Sequence, residues 1–163
     1  MAAKTKSPKS SVRVVIPGRK NLHLRRLLLD FNGTLATDGK LVIEAKVLLR
    51  KLAEKLEVVV LTADTYGTAR RSLRGLPLDV YTVKTGMDKW LSLGDTEWRA
   101  TAAIGNGAND VEMAKAAALS IGILGREGTA AELLRNVDIV APHICAALEL
   151  LVHPKRLVAT LRN

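Results

Sequence analysis

The sequence contains one cysteine and few aromatic residues. With a single thiol, Cys145, the chain cannot form an internal disulfide, and the cytoplasm is the expected location. Phe, Trp and Tyr together make up 3% of the residues, so aliphatic side chains and alanine must fill the core. Cys145 and the histidines, His23, His143 and His153, lack the spacing of a zinc site. A disulfide-stabilised fold is therefore excluded, and a structural zinc site is not expected.

Long apolar runs are also missing. No run approaches the roughly 20 residues that are needed to span a bilayer. The first residues lack the apolar segment of a secretory signal. The sequence therefore predicts a protein without a membrane span or an export signal.

The composition is typical of one globular domain with a basic tail. The chain has 163 residues, 48% of them hydrophobic, which suits a single core. Residues 1–12 are polar and rich in Lys and Ser, so we expect a flexible basic tail followed by one domain at 13–163. The net charge of +9 favours a solvated tail and general attraction of anionic substrates over nucleic-acid binding, because aromatic residues that stack on bases are scarce.

Strand-like and helix-like segments alternate along the chain. Short apolar runs predict strands at 12–16, 27–29, 57–61, 78–83, 102–104, 120–124 and 137–140. Apolar residues at helical spacing predict a helix at 43–56, and further helices are expected at 66–73, 89–98, 110–119, 129–135 and 144–152. This alternation predicts an α/β fold with three Rossmann-like layers, in which helices cover both faces of a parallel sheet.

Two segments carry the clearest signs of chemistry: LLLDFNGTLATDG, with Asp30, and AAIGNGANDVEMA, with Asn106, Asn109 and Asp110. In each, an apolar run ends at polar residues next to glycine. The carboxyl ends of parallel strands are where such sheets bind ligands. We therefore expect both segments to contribute to one site.

A carboxylate such as Asp30 can attack a phosphoryl group and form an aspartyl-phosphate. That chemistry needs a cation, a hydroxyl or amide donor, and a lysine. Asp110 with Asn106 or Asn109 offers oxygen ligands of the type that Mg²⁺ prefers. Thr62 directly follows a second predicted strand, and Lys89 opens a predicted helix.

Taken together, the motifs resemble those of the haloacid dehalogenase-like phosphohydrolases. Asp30 with Asn32-Gly33-Thr34 is similar to the first motif of that family, Thr62 to the second, Lys89 to the third and residues 105–110 to the fourth. The likeness is greatest to a small branch of soluble P-type ATPase-like proteins, in which DFNGTLATDG, LTADTYGTA and IGNGAND occur with a terminal RLVATLR. It covers the chain from about Val12 to the C-terminus.

The resemblance implies a Mg²⁺-dependent phosphohydrolase with a haloacid dehalogenase-like core. It implies catalytic roles for Asp30, Asn32, Thr62 and Lys89, substrate contacts for Gly33, Thr62, Ala63, Lys89 and Asn109, and metal ligands in Asp30, Asn32, Asn106 and Asp110.

Two positions depart from the family pattern. Most phosphatases of the family have a second Asp where this chain has Asn32, and an amide cannot act as a general acid or base. Asn106 stands where relatives often have Asp, which removes a negative charge from the metal site. We therefore expect slow or leaving-group-dependent turnover. The alternative is a regulatory or phosphate-sensing protein with the same fold and little turnover.

The spacing of the motifs leaves no room for a cap domain. Residues 30 to 62 and 62 to 89 are too few for an extra folded unit. An open site of this kind accepts a large phosphorylated substrate, or is closed over by a neighbouring subunit of a homo-oligomer. The likeness to pumps does not establish ATP as the substrate.

Each assignment has a structural alternative. Lys84 competes with Lys89 as the phosphate-binding lysine. Thr62 could serve the loop before the next helix, with Asp64 or Thr65 as the helix N-cap. The pair Asn109-Asp110 could cap its own helix, a role compatible with metal binding.

Overall fold

A computed structural model of the protein describes residues 10–64, 67–91 and 95–163. The strands are β1 Val12–Val14, β2 Leu22–Leu24, β3 Arg26–Leu29, β4 Ala36–Thr37, β5 Lys40–Leu41, β6 Glu57–Thr62, β7 Asp79–Thr82, β8 Thr101–Gly105, β9 Leu119–Ile123 and β10 Ile139–Ala141. The helices are α1 Ala45–Ala53, α2 Thr68–Ser72, α3 Gly86–Leu91, α4 Asp95–Trp98, α5 Val111–Ala116, α6 Ala131–Leu134, α7 Ile144–Val152 and α8 Pro154–Leu161. A short 3-10 turn, Ala108–Asp110, precedes α5.

Six strands form one parallel sheet in the order β10-β9-β8-β3-β6-β7. The interiors of its central strands β3, β6 and β8 are apolar and buried because both faces of the sheet are covered. On β3, Leu27 and Leu29 point into the larger core, which also holds residues of α1, α7 and α8, whereas Leu28 packs with Trp98 and Met113 on the other face. The predicted α/β fold with three layers is confirmed.

The register of the sheet brings the two motif segments to one edge. Leu29, the last residue of β3, lies opposite Val60 of β6 and Ile104 of β8. Asp30 follows β3, Thr62 ends β6, and Asn106 follows β8. These three side chains therefore start from neighbouring strand ends at the carboxyl edge.

Two short antiparallel pairs lie outside the main sheet. The predicted strand 12–16 is observed as β1, and it pairs with β2 rather than with the parallel strands. The β4–β5 hairpin lies between β3 and α1. In the described part of the chain, the β4–β5 hairpin and α1 are the elements between β3 and β6, and α2 and β7 are those between β6 and α3, so the domain is small and capless.

The predicted helix 89–98 was wrong at its start. Helix α3 begins at Gly86, and Lys89 lies within it rather than opening it. The reason is a capping box: the Thr85 hydroxyl accepts a hydrogen bond from the Asp88 amide, and the Asp88 carboxylate accepts one from the Thr85 amide. Helix α4 is separate, and residues 92–94 lie outside the described part of the chain.

Other predicted bounds differ by a few residues. In α1 the buried side chains are Ala45, Leu49 and Leu52, whereas Val47, which contributed to the predicted apolar stripe, is 56% exposed. The predicted helix 66–73 is observed as α2, and Thr65 and Tyr66 lie outside the described residues, as do residues 1–9 of the predicted tail. Across the described segments, no helix has both the length and the apolar character to cross a membrane.

Candidate active site

The centre of the site is a buried lysine between two carboxylates. Lys89 Nζ lies 2.7 Å from Asp30 Oδ1 and 2.6 Å from Asp110 Oδ1. The relative exposures of the three residues are 0% for Lys89, 6% for Asp30 and 0% for Asp110. Asp30 is held at the strand end, because its amide donates to the Ile104 carbonyl. The structure therefore brings together residues of the first, third and fourth motifs.

The electrostatics of this cluster leave a negative charge unbalanced. Two carboxylates share one ammonium group, which gives a formal charge of −1. Burial raises the pKa of the Asp30 carboxyl to about 6, the charge of Asp110 adds to that rise, and Lys89 opposes it. Burial alone would lower the pKa of the Lys89 ammonium, but Asp30 and Asp110 outweigh burial, and the pKa lies above its usual value. Lys89 is thus a charged, fixed cation.

Asp110 also organises the loop that follows β8. Its Oδ2 accepts hydrogen bonds from the amides of Asn106 and Gly107, both at 3.0 Å. Gly105 permits this approach, because a Cβ at that position would lie 2.3 Å from Asp110 Oδ2. The carboxylate makes no side-chain cap to α5. Its hydrogen bonds run backwards to the loop instead, so the predicted N-cap role of Asp110 in this helix is not observed.

Asn106 joins three loops at the edge of the site. Its Oδ1 accepts a hydrogen bond from Thr34 Oγ1 at 3.1 Å, and its Nδ2 donates to the Gly128 carbonyl at 3.1 Å. The amide also packs on Gly33, where an added Cβ would lie 2.2 Å from Asn106 Nδ2. Asn106 thereby connects the segments after β3, β8 and β9. Both of its polar atoms already have protein partners.

Thr62 is 1% exposed at the end of β6, and its hydroxyl oxygen accepts a hydrogen bond from the Asp64 amide at 3.1 Å. The Asp64 carboxylate accepts from the Thr68 hydroxyl and the Ala69 amide at the start of α2. Asp64 therefore stabilises the start of α2 from outside the helix, whose N-cap position is Gly67 rather than Asp64. A hydroxyl can accept and donate at the same time, so this bond does not use the proton of the Thr62 hydroxyl.

The other candidate residues lie on the surface around this cluster. Asn32, Ala63 and Asn109 are exposed, and so is Lys84, the alternative phosphate-binding lysine. Gly33 is buried with φ +75°, a left-handed conformation that suits glycine. Buried Lys89 reaches both carboxylates, whereas Lys84 makes a backbone hydrogen bond to Asp88.

Sequence reasoning did not identify Gly128 and Glu127 as parts of this edge. Gly128 accepts from Asn106, and Glu127 Oε1 accepts from the Asp38 amide at 2.6 Å, which ties the β4–β5 hairpin to the loop after β9. Gly125 packs against the first-motif loop, because an added Cβ at this position would lie 2.9 Å from the Gly33 carbonyl oxygen. The cluster of Gly125 and Gly128 around Glu127 in the sequence was the available signal.

The donor set fits a magnesium ion. Within the described residues, no three His, Cys, Asp or Glu side chains come together as a metal site, so a magnesium ion at Asp30 and Asp110 would need amide, backbone or water oxygens as further ligands. Mg²⁺ prefers such hard oxygen ligands and retains several waters. The net negative charge and the raised pKa of Asp30 mark a place where an added cation is favourable. Asp110 accepts more side-chain and backbone hydrogen bonds than Asp30, because Lys89 donates to its Oδ1 and the Asn106 amide donates to its Oδ2.

Comparisons with known structures identify the class of fold. The phosphatase of 3-deoxy-D-manno-octulosonate 8-phosphate from Moraxella catarrhalis, solved with magnesium, phosphate and the sugar acid, superimposes with a TM-score of 0.65 at 12% identity, over 85% of this chain and 94% of that one. A zinc-transporting PIB-type ATPase superimposes with a TM-score of 0.60 at 25% identity, over 74% of this chain and 20% of the ATPase. This chain has the haloacid dehalogenase-like fold of the hydrolase superfamily to which such phosphatases belong.

Comparisons with known sequences identify relatives. No family model matches the chain. Two uncharacterized proteins of Methanocaldococcus jannaschii are similar, MJ0073 at 44% identity over 61 residues and MJ0072 at 51% over 39 residues. The aligned parts cover 37% of this chain and 66% of MJ0073, and 24% of this chain and 89% of MJ0072. The chain belongs to the same family as MJ0072, and it spans less than two thirds of MJ0073.

Proposed function

We propose that this chain is a Mg²⁺-dependent phosphohydrolase that works through an aspartyl-phosphate on Asp30. The main support is the position of Lys89 Nζ, 2.7 Å from Asp30 and 2.6 Å from Asp110, at the carboxyl edge of a parallel sheet. A carboxylate on a rigid strand end beside a fixed ammonium suits nucleophilic attack on phosphorus. The same fold in a phosphatase that binds magnesium and phosphate supports this reaction class.

The reaction has two displacements at phosphorus. In the first, a carboxylate oxygen of Asp30 attacks the phosphoryl group, and the bond to the leaving oxygen breaks. Lys89 and the hydroxyl of Thr62 hold the phosphoryl oxygens, and the substrate also contacts the chain at Gly33, Ala63 and Asn109. In the second, water attacks the same phosphorus, the bond to Asp30 breaks and inorganic phosphate leaves. Asp30 is then restored as a carboxylate.

Asn32 limits both displacements. An amide cannot give a proton to the leaving oxygen or take one from water, so the leaving group must depart unassisted and the water proton passes to solvent or phosphate. General acid–base groups contribute on the order of 10²- to 10⁴-fold to such rates. We therefore expect a preference for good leaving groups, such as the carboxylate of an acyl phosphate, and a long-lived phosphoenzyme.

Four groups would hold Mg²⁺: the carboxylates of Asp30 and Asp110, the backbone carbonyl of Asn32 and the side chain of Asn106. When bound, Mg²⁺ offsets the negative charge that the nucleophile and the phosphate bring together. Asn106 is the weakest of these ligands, because its carbonyl oxygen already accepts from Thr34. We therefore expect a high Mg²⁺ requirement.

The substrate and cellular setting belong to the same proposal. A capless site suits a large phosphorylated substrate, or a homo-oligomer in which a second copy closes the site. The small P-type ATPase-like branch is the proposed position within the superfamily, supported by the 25% identity to the zinc-transporting ATPase. The proposed protein has one basic tail and one domain. Its proposed location is the cytoplasm, where a single free cysteine stays reduced.

A regulatory protein with little turnover is a second candidate, and Asn106 is the observation that favours it. Its amide makes two hydrogen bonds to protein groups, and a neutral amide replaces a metal-binding carboxylate. A site of this kind can keep a phosphate or a stable phospho-Asp30 without releasing it. The two candidates differ in turnover, which is directly measurable.

The test is Mg²⁺-dependent phosphate release from acetyl phosphate, p-nitrophenyl phosphate and ATP, with Asp30→Asn as the control. Release that needs both Mg²⁺ and Asp30, and that is fastest with acetyl phosphate, is the expected result. If Mg²⁺ binds and wild type releases no more phosphate than Asp30→Asn from any of the three, the phosphohydrolase proposal fails and the regulatory candidate takes its place.

A further inference from the structure

A cavity lies at the edge of the sheet opposite Asp30. It has a volume of about 280 Å³. One side is formed by the turn between β1 and β2 and by Leu161 of α8. The other side is formed by segments next to three sheet strands, namely Arg99 before β8, residues 116–119 leading into β9 and Asp138 before β10. Arg99 and Asn106 flank the two ends of β8, so this cavity is on the order of 15–20 Å from the proposed active site. It is therefore a separate place on the molecule.

The rim of this cavity is cationic. Arg19, Lys20 and Arg99 line it together with one carboxylate, Asp138, an excess of two positive charges. Asp138 is already engaged, because Oδ1 pairs with Arg19 at 3.2 Å and Oδ2 accepts from the amide and hydroxyl of Ser120. Among the side chains that the structure describes, no carboxylate pairs with Lys20 or Arg99. These two cations are available to an anion.

The interior of the cavity is apolar and depends on small side chains. Ile16, Leu22, Leu119 and Leu161 are buried there, and residues 116 to 118 are all alanine. Larger side chains at these three positions would occupy part of the space that the alanines leave. An anion with a compact apolar or planar body would therefore contact both the cationic rim and this interior.

The walls are fixed by backbone hydrogen bonds. The Ala118 amide donates to the carbonyls of Trp98 and Thr101, and the Asn163 amide donates to the Pro17 carbonyl. Gly18, with φ +76°, packs against the Asn163 side chain and completes the turn that carries Arg19 and Lys20. A preformed cavity costs a ligand little ordering of the protein.

We propose that this cavity binds a small organic phosphate monoester, with its dianion between Lys20, Arg99 and Arg19 and its body against the alanines. The excess of two positive charges matches a phosphate dianion, and Arg and Lys are suited to binding one. The Arg19–Asp138 pair is partly exposed, at 40% and 28%, so that opening it for a ligand costs little. The proposal does not depend on catalysis at Asp30.

The test uses adenosine 5′-monophosphate and inorganic phosphate as probes, in a chelator so that no turnover occurs. Backbone amide shifts in NMR spectra report where each probe binds, and calorimetry gives the affinity. We expect shifts at Ala116–Leu119, tighter binding of the nucleotide than of phosphate, and a loss of nucleotide affinity of about tenfold in each of Lys20→Gln and Arg99→Gln. Ala117→Leu should weaken binding by filling the cavity with the charges intact.

Lys155→Gln and Arg135→Gln are the matched controls, because they remove the same charges from positions outside the cavity. Shifts confined to residues near Gly33 and Asn106, absence of binding, or equal losses in cavity and control variants would each overturn the proposal. If Arg99→Gln does not fold, the nucleotide affinities of Lys20→Gln and Ala117→Leu still test the proposal. Phosphate release is not part of the readout, so a failure here is distinct from a failure of the proposed phosphohydrolase.

Discussion

The ammonium group of Lys89 lies 2.7 Å from Asp30 Oδ1 and is wholly removed from solvent. This contact balances part of the charge of two buried carboxylates. Lys89→Met should abolish Asp30-dependent phosphate release and reduce the free energy of unfolding by about 3–5 kcal/mol, because a buried pair that loses one partner leaves charge uncompensated.

Lys84→Met is the matched control for that variant. Lys84 is exposed five positions earlier in the chain, so its loss should change the free energy of unfolding by less than about 0.5 kcal/mol. Urea unfolding and phosphate release measure both effects. Equal activity in the two variants would remove Lys89 from the proposed machinery.

The pKa of Asp30 makes a prediction for the metal-free protein. An acid whose pKa rises from 3.8 to about 6 on folding binds more protons in the folded state, so stability falls as pH increases through this window. The loss is about 3 kcal/mol. Asp30→Asn lacks this titration. In a chelator, the stability of the variant relative to wild type should therefore increase between about pH 4 and pH 7.

Urea unfolding at several pH values gives that difference directly. Saturating Mg²⁺ should stabilise the wild type more than Asp30→Asn, because a ligand that binds only the folded state adds to its stability. If the difference in unfolding free energy between wild type and Asp30→Asn is independent of pH in chelator, burial does not raise the pKa of Asp30 as its surroundings imply.

Asn32→Asp tests the missing general acid. The side chain at position 32 is exposed, so a carboxyl is easily accommodated there. We expect faster hydrolysis of esters with poor leaving groups, by about tenfold or more, and a smaller change with acetyl phosphate, whose leaving group needs no proton. Steady-state rates with both substrates measure this contrast, and the double variant with Asp30→Asn should be inactive. Equal gains on both substrates would contradict the acid–base explanation.

Asn106→Asp separates the structural role of this residue from its role as a metal ligand. The substitution removes the bond from Nδ2 to the Gly128 carbonyl and places a carboxylate oxygen near that carbonyl. We expect a loss of about 1–3 kcal/mol in the free energy of unfolding in chelator, but activity at lower Mg²⁺ because the site gains a negative charge. Asn109→Asp, at an exposed position of the same loop, should not produce this destabilisation.

The sequence predicted the sheet well because buried parallel strands are apolar runs that end in polar residues. The position of Asp30 at the end of β3 follows from that pattern alone. The start of α3 differs from the prediction because the helix begins at the capping box of Thr85 and Asp88, whose first residue lies four positions before Lys89. The bond between Asn106 and Gly128 had no local pattern to predict it, because it joins loops 22 residues apart.

The last prediction concerns the contact between Gly33 and Asn106. Gly33 has φ +75°, and an added Cβ would lie 2.2 Å from Asn106 Nδ2. Gly39 has a similar φ of +71° with no atom within 4 Å of such a Cβ. Gly39→Ala therefore measures the cost of the left-handed conformation, about 1–2 kcal/mol. Gly33→Ala adds the displacement of Asn106 and should cost at least about 1–3 kcal/mol more, by loss of its hydrogen bonds.

A double-mutant cycle completes this test. In an Asn106→Ala background the clash is absent, so Gly33→Ala should then cost about as much as Gly39→Ala. Urea unfolding of the single and double variants gives the coupling energy between positions 33 and 106. Additive effects would mean that Asn106 does not hold the first-motif loop, and that the three loops of the site are positioned independently.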